Sequence, residues 1–284
     1  MLADKLRAAS KTVVPAPVGQ VAYTTPGTYL WTVPAGVTSI SAVCVGAGGG
    51  SLTLSVSSQH SGAGGGALAY VNNIQVYSGE QLTVVVGAGV AGGDGQDSTV
   101  KRGSTILVGA GGGKVATRTT NTNAPGGSII VGTGGNGGAG GVYTSATSGN
   151  GAGGGGAGGY SGSGGNGSSS STMDSSDGTG GGGGGGARGL LVTNIYRGGG
   201  GGGVGLLGEG ASGLAGQANG AGGGGGSGGA TPSNNLGGLY GGGRAGLRTL
   251  ATTAISSSGV GTQGAVRIIW GFGRAFPSTN TQDT

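Results

Sequence analysis

The sequence predicts a mainly β fold, a β-sandwich with an inserted bundle of left-handed, threefold polyglycine II helices. Three observations lead there. The first hundred residues hold a series of short runs rich in β-branched and aromatic residues, separated by Pro and Gly turns. One further run of this kind, AVRIIW at 265–270, lies far downstream, so the last strand has to return beside the first ones. Between them, 109–263 is mostly glycine arranged in blocks, unbroken at 180–186, 198–203 and 222–226.

Composition bounds the function. The chain has 284 residues, 82 of them glycine, with 7% charged residues, a net charge of +5 and a pI near 9.6. Glycine near one third with only 7 prolines and no sustained G-X-Y repeat is not collagen. The basic residues are scattered singly, so no nucleic-acid groove is expected. No run of eighteen apolar residues is present to span a membrane, and residues 1–10 lack the apolar stretch of a signal peptide. The single cysteine, Cys44, excludes an internal disulfide framework, and its apolar strand predicts a buried free thiol.

Taken in order, the chain opens with a segment, 1–20, unlike the rest. Leu2, Leu6 and Ala9 share one apolar helical edge, with Lys5, Arg7 and Lys11 off it. A proline-stiffened spacer, VVPAPVGQ, follows. This segment reads as a docking peptide. The sandwich is assigned to 21–108 and 264–273. Its strands are VAYTT, TYLWTV, SISAVCV, ALAYVNNIQVY, LTVVVG, STVKRG, TILVG and AVRIIW, with turns at Pro26-Gly27 and Pro34-Ala35-Gly36. Trp31 and Trp270, the only tryptophans, fall in an early and the final strand. The sandwich supplies the apolar core that glycine lacks.

The insert, 109–263, poses the question of what a glycine rod can be. Glycine costs roughly 0.5–1 kcal/mol against alanine in a helix or strand interior. The threefold extended helix has no internal hydrogen bonds and rises about 3.1 Å per residue, so seven glycines span roughly 22 Å. Its N–H and C=O groups point sideways and need neighbouring helices as partners. Such a helix puts residues i, i+3 and i+6 on one edge. Thr133, Asn136, Ala139 and Val142 keep that spacing, as do Ala157, Tyr160, Ser163 and Asn166, and Ala221, Ser227 and Ala230 share a register. These edges are expected to face outward and the unbroken glycine runs to lie inside. Shorter glycine stretches at 46–50, 62–66 and 87–95 are expected to add rods to the stack. A tail, 274–284, closes the chain.

No motif carries catalysis. The single histidine, His60, sits in a polar turn without cysteine or acidic companions. GGDGQDSTV at 92–100 matches part of a calcium-binding β-helix repeat, but Thr99 stands where an aliphatic residue is wanted, and the unit occurs once. GAGGGK at 109–114 resembles a phosphate-cradling loop, but Val108 and Val115 replace its first glycine and its Ser or Thr. No nucleophile–base pair stands out. The sequence therefore predicts no enzyme, no cofactor and no metal.

The chemically varied residues lie in the turns of the insert: Arg118, Asn121, Asn123, Tyr143, Met173, Leu190, Leu191, Ile195, Tyr196, Arg197, Asn234, Asn235, Leu236 and Tyr240. A rigid stack would gather alternate turns at each end into compact surfaces of aromatic, amide and arginine groups, the mix of loop-built binding sites. Exposed apolar pairs such as Leu190-Leu191 and Ile195-Tyr196 call for a partner.

Blocks of glycine between short varied segments resemble the distal tail-fibre adhesins of T-even-type phages. The flanks, TYLWTVPAGVTSISAVCVGAGGG and GAVRIIWG with FGRAFPSTNT, resemble the glycine-rich domains of phage tail proteins, which pair a β-sandwich with glycine insertions. This chain has the short 1–20 segment in place of the adhesins' N-terminal attachment domain. The resemblance implies a virion protein of a tail or tail fibre, present in several copies. Residues 1–20 would dock to other virion proteins, and the insert's turns would touch a host outer-surface protein or glycan. A purely structural baseplate or capsid decoration is the alternative, and an ice-binding protein a third. The varied, tyrosine- and arginine-bearing turns depart from the regular threonine array that ice favours.

Overall fold

The computed structural model describes residues 17–55, 58–144, 150–172, 174–189, 191–192, 194–217, 220–225, 228–233, 235–250 and 258–278. Among them the strands are β1 Gly19–Tyr23, β2 Gly27–Thr32, β3 Ser39–Val45, β4 Leu68–Gln75, β5 Gln81–Val86, β6 Ser98–Arg102, β7 Thr105–Ala110, β8 Ile129–Val131, β9 Thr133–Gly135, β10 Leu191–Val192, β11 Ile195–Arg197, β12 Leu247–Thr249 and β13 Ala265–Trp270. The fold is mainly β, and the pairing between named strands is antiparallel throughout.

Two five-stranded sheets form a sandwich, ordered β1-β13-β3-β4-β9 and β2-β5-β6-β7-β8. The last strand lies between β1 and β3, with Val266 opposite Cys44 and Ile268 opposite Ala42. Trp31, Val33, Ile40, Ala42, Cys44, Leu82, Val84, Val100, Val108, Val266 and Ile268 share the core between the sheets. Trp31 and Trp270 meet there with ring centroids 5.5 Å apart. The Cys44 thiol is buried 3.8 Å from the Val108 carbonyl, and burial pushes its pKa up.

The first sheet is covered on both faces. Val43, Val45, Leu68, Ala265 and Ile269 point away from the sandwich core, into a second cluster with Ala157, Tyr160, Val204, Leu206 and Phe276. This explains why SISAVCV and AVRIIW are nearly continuous apolar runs instead of alternating ones. Arg267, 2% exposed, projects among this second face. Its Nη1 donates to the Leu206 carbonyl at 2.9 Å and its Nε to Gln20 Oε1 at 3.0 Å, tying the glycine region to the sheet.

The glycine segments bond one another with a step of three. Segment 60–67 donates from Ser61, Gly64 and Ala67 to the carbonyls of Thr117, Lys114 and Gly111 at 2.9–3.0 Å. From Gly62 and Gly65 it donates to Gly141 and Gly138, and from His60, Ala63 and Gly66 to Leu247, Arg244 and Gly241. Its carbonyls accept from three further segments, through the amides of Gly49, Gly127 and the pair Gly155 and Gly158. Six segments thus surround it. Segment 151–160 is enclosed the same way by 60–67, 135–144, 161–170, 182–187, 198–206 and 241–249. A strand sends its groups to two sides with a period of two. Here three donor directions and three acceptor directions repeat every third residue, which satisfies the buried backbone without a core of side chains.

At most of their glycines these rods leave no room for a Cβ, whereas Ala63, Ala152 and Ala157 fit fully buried. A Cβ at Gly155 would press on the Gly138 carbonyl, and one at Gly64 on that of Pro125. Segments 46–51 and 60–67 lie far upstream of 109–263 yet sit among its rods, because β3 runs directly into the first and the second runs into β4. In turn, β8 and β9, from within 109–263, complete the two sheets.

Several expectations change. Of the edges predicted to face outward, Thr133, Asn136, Ser163 and Asn166 are exposed, and Ala139 and Val142 half-buried. Ala157 and Tyr160 are fully buried instead. Segment 151–160 is an enclosed rod, and Tyr160 ends it against the second core, stacked on Phe276 at 5.9 Å. Runs 181–186 and 198–203 are interior, whereas Gly223 and Gly224 are half-buried. The varied 188–197 stretch is not a bare turn: β10, β11 and β12 form a small three-stranded sheet. β1 begins at Gly19, inside the stretch assigned to the docking segment.

Candidate functional site

The rods carry the strand direction onward from the sandwich, so Thr117, Tyr143, Ala187 and Leu247 lie toward the far end. Segment 58–61 lies at the centre of this tip. Ser61 N–H bonds the Thr117 carbonyl at 2.9 Å and His60 N–H the Leu247 carbonyl at 3.0 Å. Gln59 bridges to Arg248 along the backbone, and its amide reaches the Thr144 carbonyl at 3.4 Å.

Around that centre the structure joins two groups of the sequence-predicted residues. In the first, exposed Arg118 donates to the Thr53 carbonyl, and the Tyr143 hydroxyl donates to the Arg118 carbonyl. Asn121 N–H bonds the Tyr143 carbonyl at 2.9 Å, with Asn121 at φ 58°, a left-handed turn that asparagine tolerates. Asn121 and Asn123 are exposed, while Tyr143 is buried and acts as a strut. In the second group, Ile195 and Tyr196 are half-buried in β11 and Arg197 is exposed. Tyr196 pairs with Arg248 across the sheet, whose guanidinium lies 5.4 Å from the ring centroid. The strand partner thus covers an aromatic face that the sequence left unpartnered.

Other predicted residues lie elsewhere. Tyr240 is half-buried at the opposite end of the rods, against the second core beside Val204. Asn235 is buried, its carbonyl accepting from Ala245 N–H at 3.1 Å, and Leu236 is exposed. Met173, Leu190 and Asn234 lie outside the described residues, as do Leu2, Leu6 and Ala9, and of Leu191 only the backbone is described.

Sequence reasoning named Arg118 and Arg197 but missed the further arginines beside them at the tip. Arg188, Arg244 and Arg248 join Arg118 and Arg197 there. Arg188 donates to the Ser171 carbonyl and Arg244 to the Val260 carbonyl, both at 3.1 Å, and the Nε of each is buried without a partner. Among the described residues the ion pairs are Arg102–Glu80 and Lys114–Asp94, so Arg118, Arg188, Arg197 and Arg244 have no carboxylate. Burial, and then the neighbouring Arg197, lowers the pKa of Arg244. His60, 1% exposed, sits among them. Its Nδ1 lies 2.8 Å from the Ser61 carbonyl oxygen, and burial, with repulsion from Arg118 and Arg244 added, lowers its pKa to about 4. The one legible signal was Arg244 itself, a charge set in the glycine run GGGRAG.

At the other end of the molecule an apolar groove of about 740 Å³ is lined by Pro17, Val18, Val37, Ile40, Trp270 and Phe272. It lies at the start of β3 and the end of β13, beside Pro17 and Val18. Among the described residues no three of His, Cys, Asp and Glu come together as metal ligands.

No curated protein matches the chain. The profile of a family described as a glycine-rich domain matches residues 24–271, from just after β1 to just past β13, and so takes in β2 to β13 and the rod segments between them. The chain belongs to this glycine-rich domain family.

Proposed function

We propose that the chain is a phage virion protein of the tail or tail fibre, and that it binds the host cell surface through the tip of its rod stack. The glycine segments in this reading are polyglycine II helices, which their three-residue hydrogen-bonding step supports. One observation carries the reading: the rods bring loops from four distant parts of the sequence to one end, opposite the sandwich. A stack whose buried amides are bonded on every side holds such loops without their having to order on binding, which lowers the entropic cost of contact. The groove beside Pro17, from which residues 1–16 lead, faces the particle and other virion proteins. Several copies per particle sum weak, reversible contacts into firm adsorption.

The test is adsorption. Purified protein is added to host cells before phage, beside a version in which 188–197 is replaced by glycine and serine, and free phage are counted with time. The intact protein should slow adsorption and the altered one should not. If both are folded and neither slows it, the adhesin reading fails and a purely structural virion role takes its place.

A further inference from the structure

We infer that the tip recognises an anionic glycan, specifically the phosphate groups of a surface polysaccharide, through Arg118, Arg188, Arg197 and Arg244. The inference rests on the adhesin reading and names its ligand class. The four arginines come from three separate segments, those of Arg118, of Arg244 and of the β10–β11 hairpin that carries both Arg188 and Arg197, and the rods align these segments at one end. Arg118 follows Thr117, which is bonded to Ser61. Arg244 accepts from Ala63 N–H, and Arg197 stands opposite Leu247 in the small sheet. Arg188 adjoins Gly189, which bridges to Gly151.

Their chemistry is incomplete as it stands. Like charges brought together and partly desolvated oppose folding unless something repays the cost. No carboxylate does so among the described residues, and Arg118, Arg188 and Arg244 donate to neutral carbonyls. The buried Nε donors of Arg188 and Arg244 are unused. A phosphate would take two donors from one guanidinium fork, a geometry that lysine does not offer.

The surroundings favour a glycan over a protein. Protein interfaces are anchored by aromatic side chains. Here Tyr143 is buried, and Tyr196 is half-buried beneath Arg248. What the tip does expose is hydroxyl and amide groups, at Thr119, Thr120, Asn121, Thr122 and Asn123. These suit the hydroxyls between phosphates on a sugar polymer.

The experiment measures retention of the full chain on phosphorylated dextran and on unmodified dextran, over a series of salt concentrations. Retention is expected on the phosphorylated matrix alone, lost by about 0.5 M salt as screening shortens to a few ångströms. Arg118→Gln and Arg197→Gln alter exposed side chains and leave the rods intact; each should weaken retention about tenfold, the two together more. Equal retention of wild type and double variant, or equal retention on both matrices, overturns the inference. The same proteins are carried into the adsorption assay. Wild type that blocks adsorption but ignores phosphorylated dextran refutes the glycan inference and leaves the adhesin reading standing, with a protein receptor in its place. Failure in both assays sinks both.

Discussion

Gly156→Ala is the sharpest probe of how the rods hold together. Gly156 lies in the enclosed segment 151–160, donating to the Gly165 carbonyl and accepting from Gly138 N–H, both at 2.8 Å. An added Cβ would press on the Gly183 carbonyl, 2.5 Å from its carbon and 2.8 Å from the Gly184 oxygen, with the Gly183 oxygen nearer still. The obstacle is backbone on a packed rod, so no side chain can swing aside. Segment 182–187 has to retreat by about 1 Å to reach the shortest contact that such atoms make. That strains the Gly183–Ala157 and Gly186–Gly154 bonds, each 2.9 Å. A buried polar group left unsatisfied costs about 1–3 kcal/mol, and the smaller entropy of alanine in the unfolded chain returns about 0.4–1. With both bonds affected, the expected loss is about 1–5 kcal/mol. Urea unfolding followed by tryptophan fluorescence measures it, with Ser163→Ala on an exposed rod edge as the control, expected within about 0.5 kcal/mol of wild type. If Gly156→Ala matches that control, close packing of the rods is not what glycine is there for, and the account given for the stack is wrong.

Other predictions follow from single buried groups. His60 is neutral in the folded protein down to pH about 4, while in the unfolded chain it takes a proton near 6.5. The unfolded state therefore binds the proton first as pH falls. Stability should drop by up to about 3 kcal/mol between pH 6.5 and 4, and His60→Asn should flatten that part of the curve, so an unchanged slope would rule out His60 as its source. Tyr160 donates its hydroxyl to the Gly205 carbonyl at 3.0 Å and accepts from Gly208 N–H at 3.2 Å. Tyr160→Phe should cost about 2 kcal/mol in the same urea titration, by leaving both groups buried and unpaired. The Cys44 thiol, fully buried with its pKa raised, should react with a thiol reagent only on global unfolding, and fast labelling of native protein would contradict the core assignment.

Much of this fold is local chemistry and therefore legible in the chain. The eight runs of β-branched and aromatic residues appear as β1 to β7 and β13, shifted by a residue or two, because strand patterning depends on neighbours two apart. The return of β13 between β1 and β3 followed from an apolar run with no other partner to cover it. The spacing by three of Asn136, Ala139 and Val142 likewise lies within one segment, although Thr133, the first of that series, belongs to β9.

What the tertiary structure decided is which segment sits where. A glycine rod has no side chain to encode its neighbours, so nothing in 60–67 or 151–160 marks these two as the enclosed ones; the connections to β3, β4 and the second core do that. Tyr160 and Tyr240 look like outward residues by spacing or by turn, yet the rods deliver both to the apolar back of the first sheet. How many arginines share the tip was hidden for the same reason. Arg118, Arg188, Arg197 and Arg244 stand singly along the chain, and charge clusters only when lateral hydrogen bonds between distant segments set their turns at one height. Sequence determined the strands, the rods and their period, since each is a property of adjacent residues. The lattice of backbone bonds between rods, which side-chain identity does not specify, determined the order of the stack and so the composition of its tip.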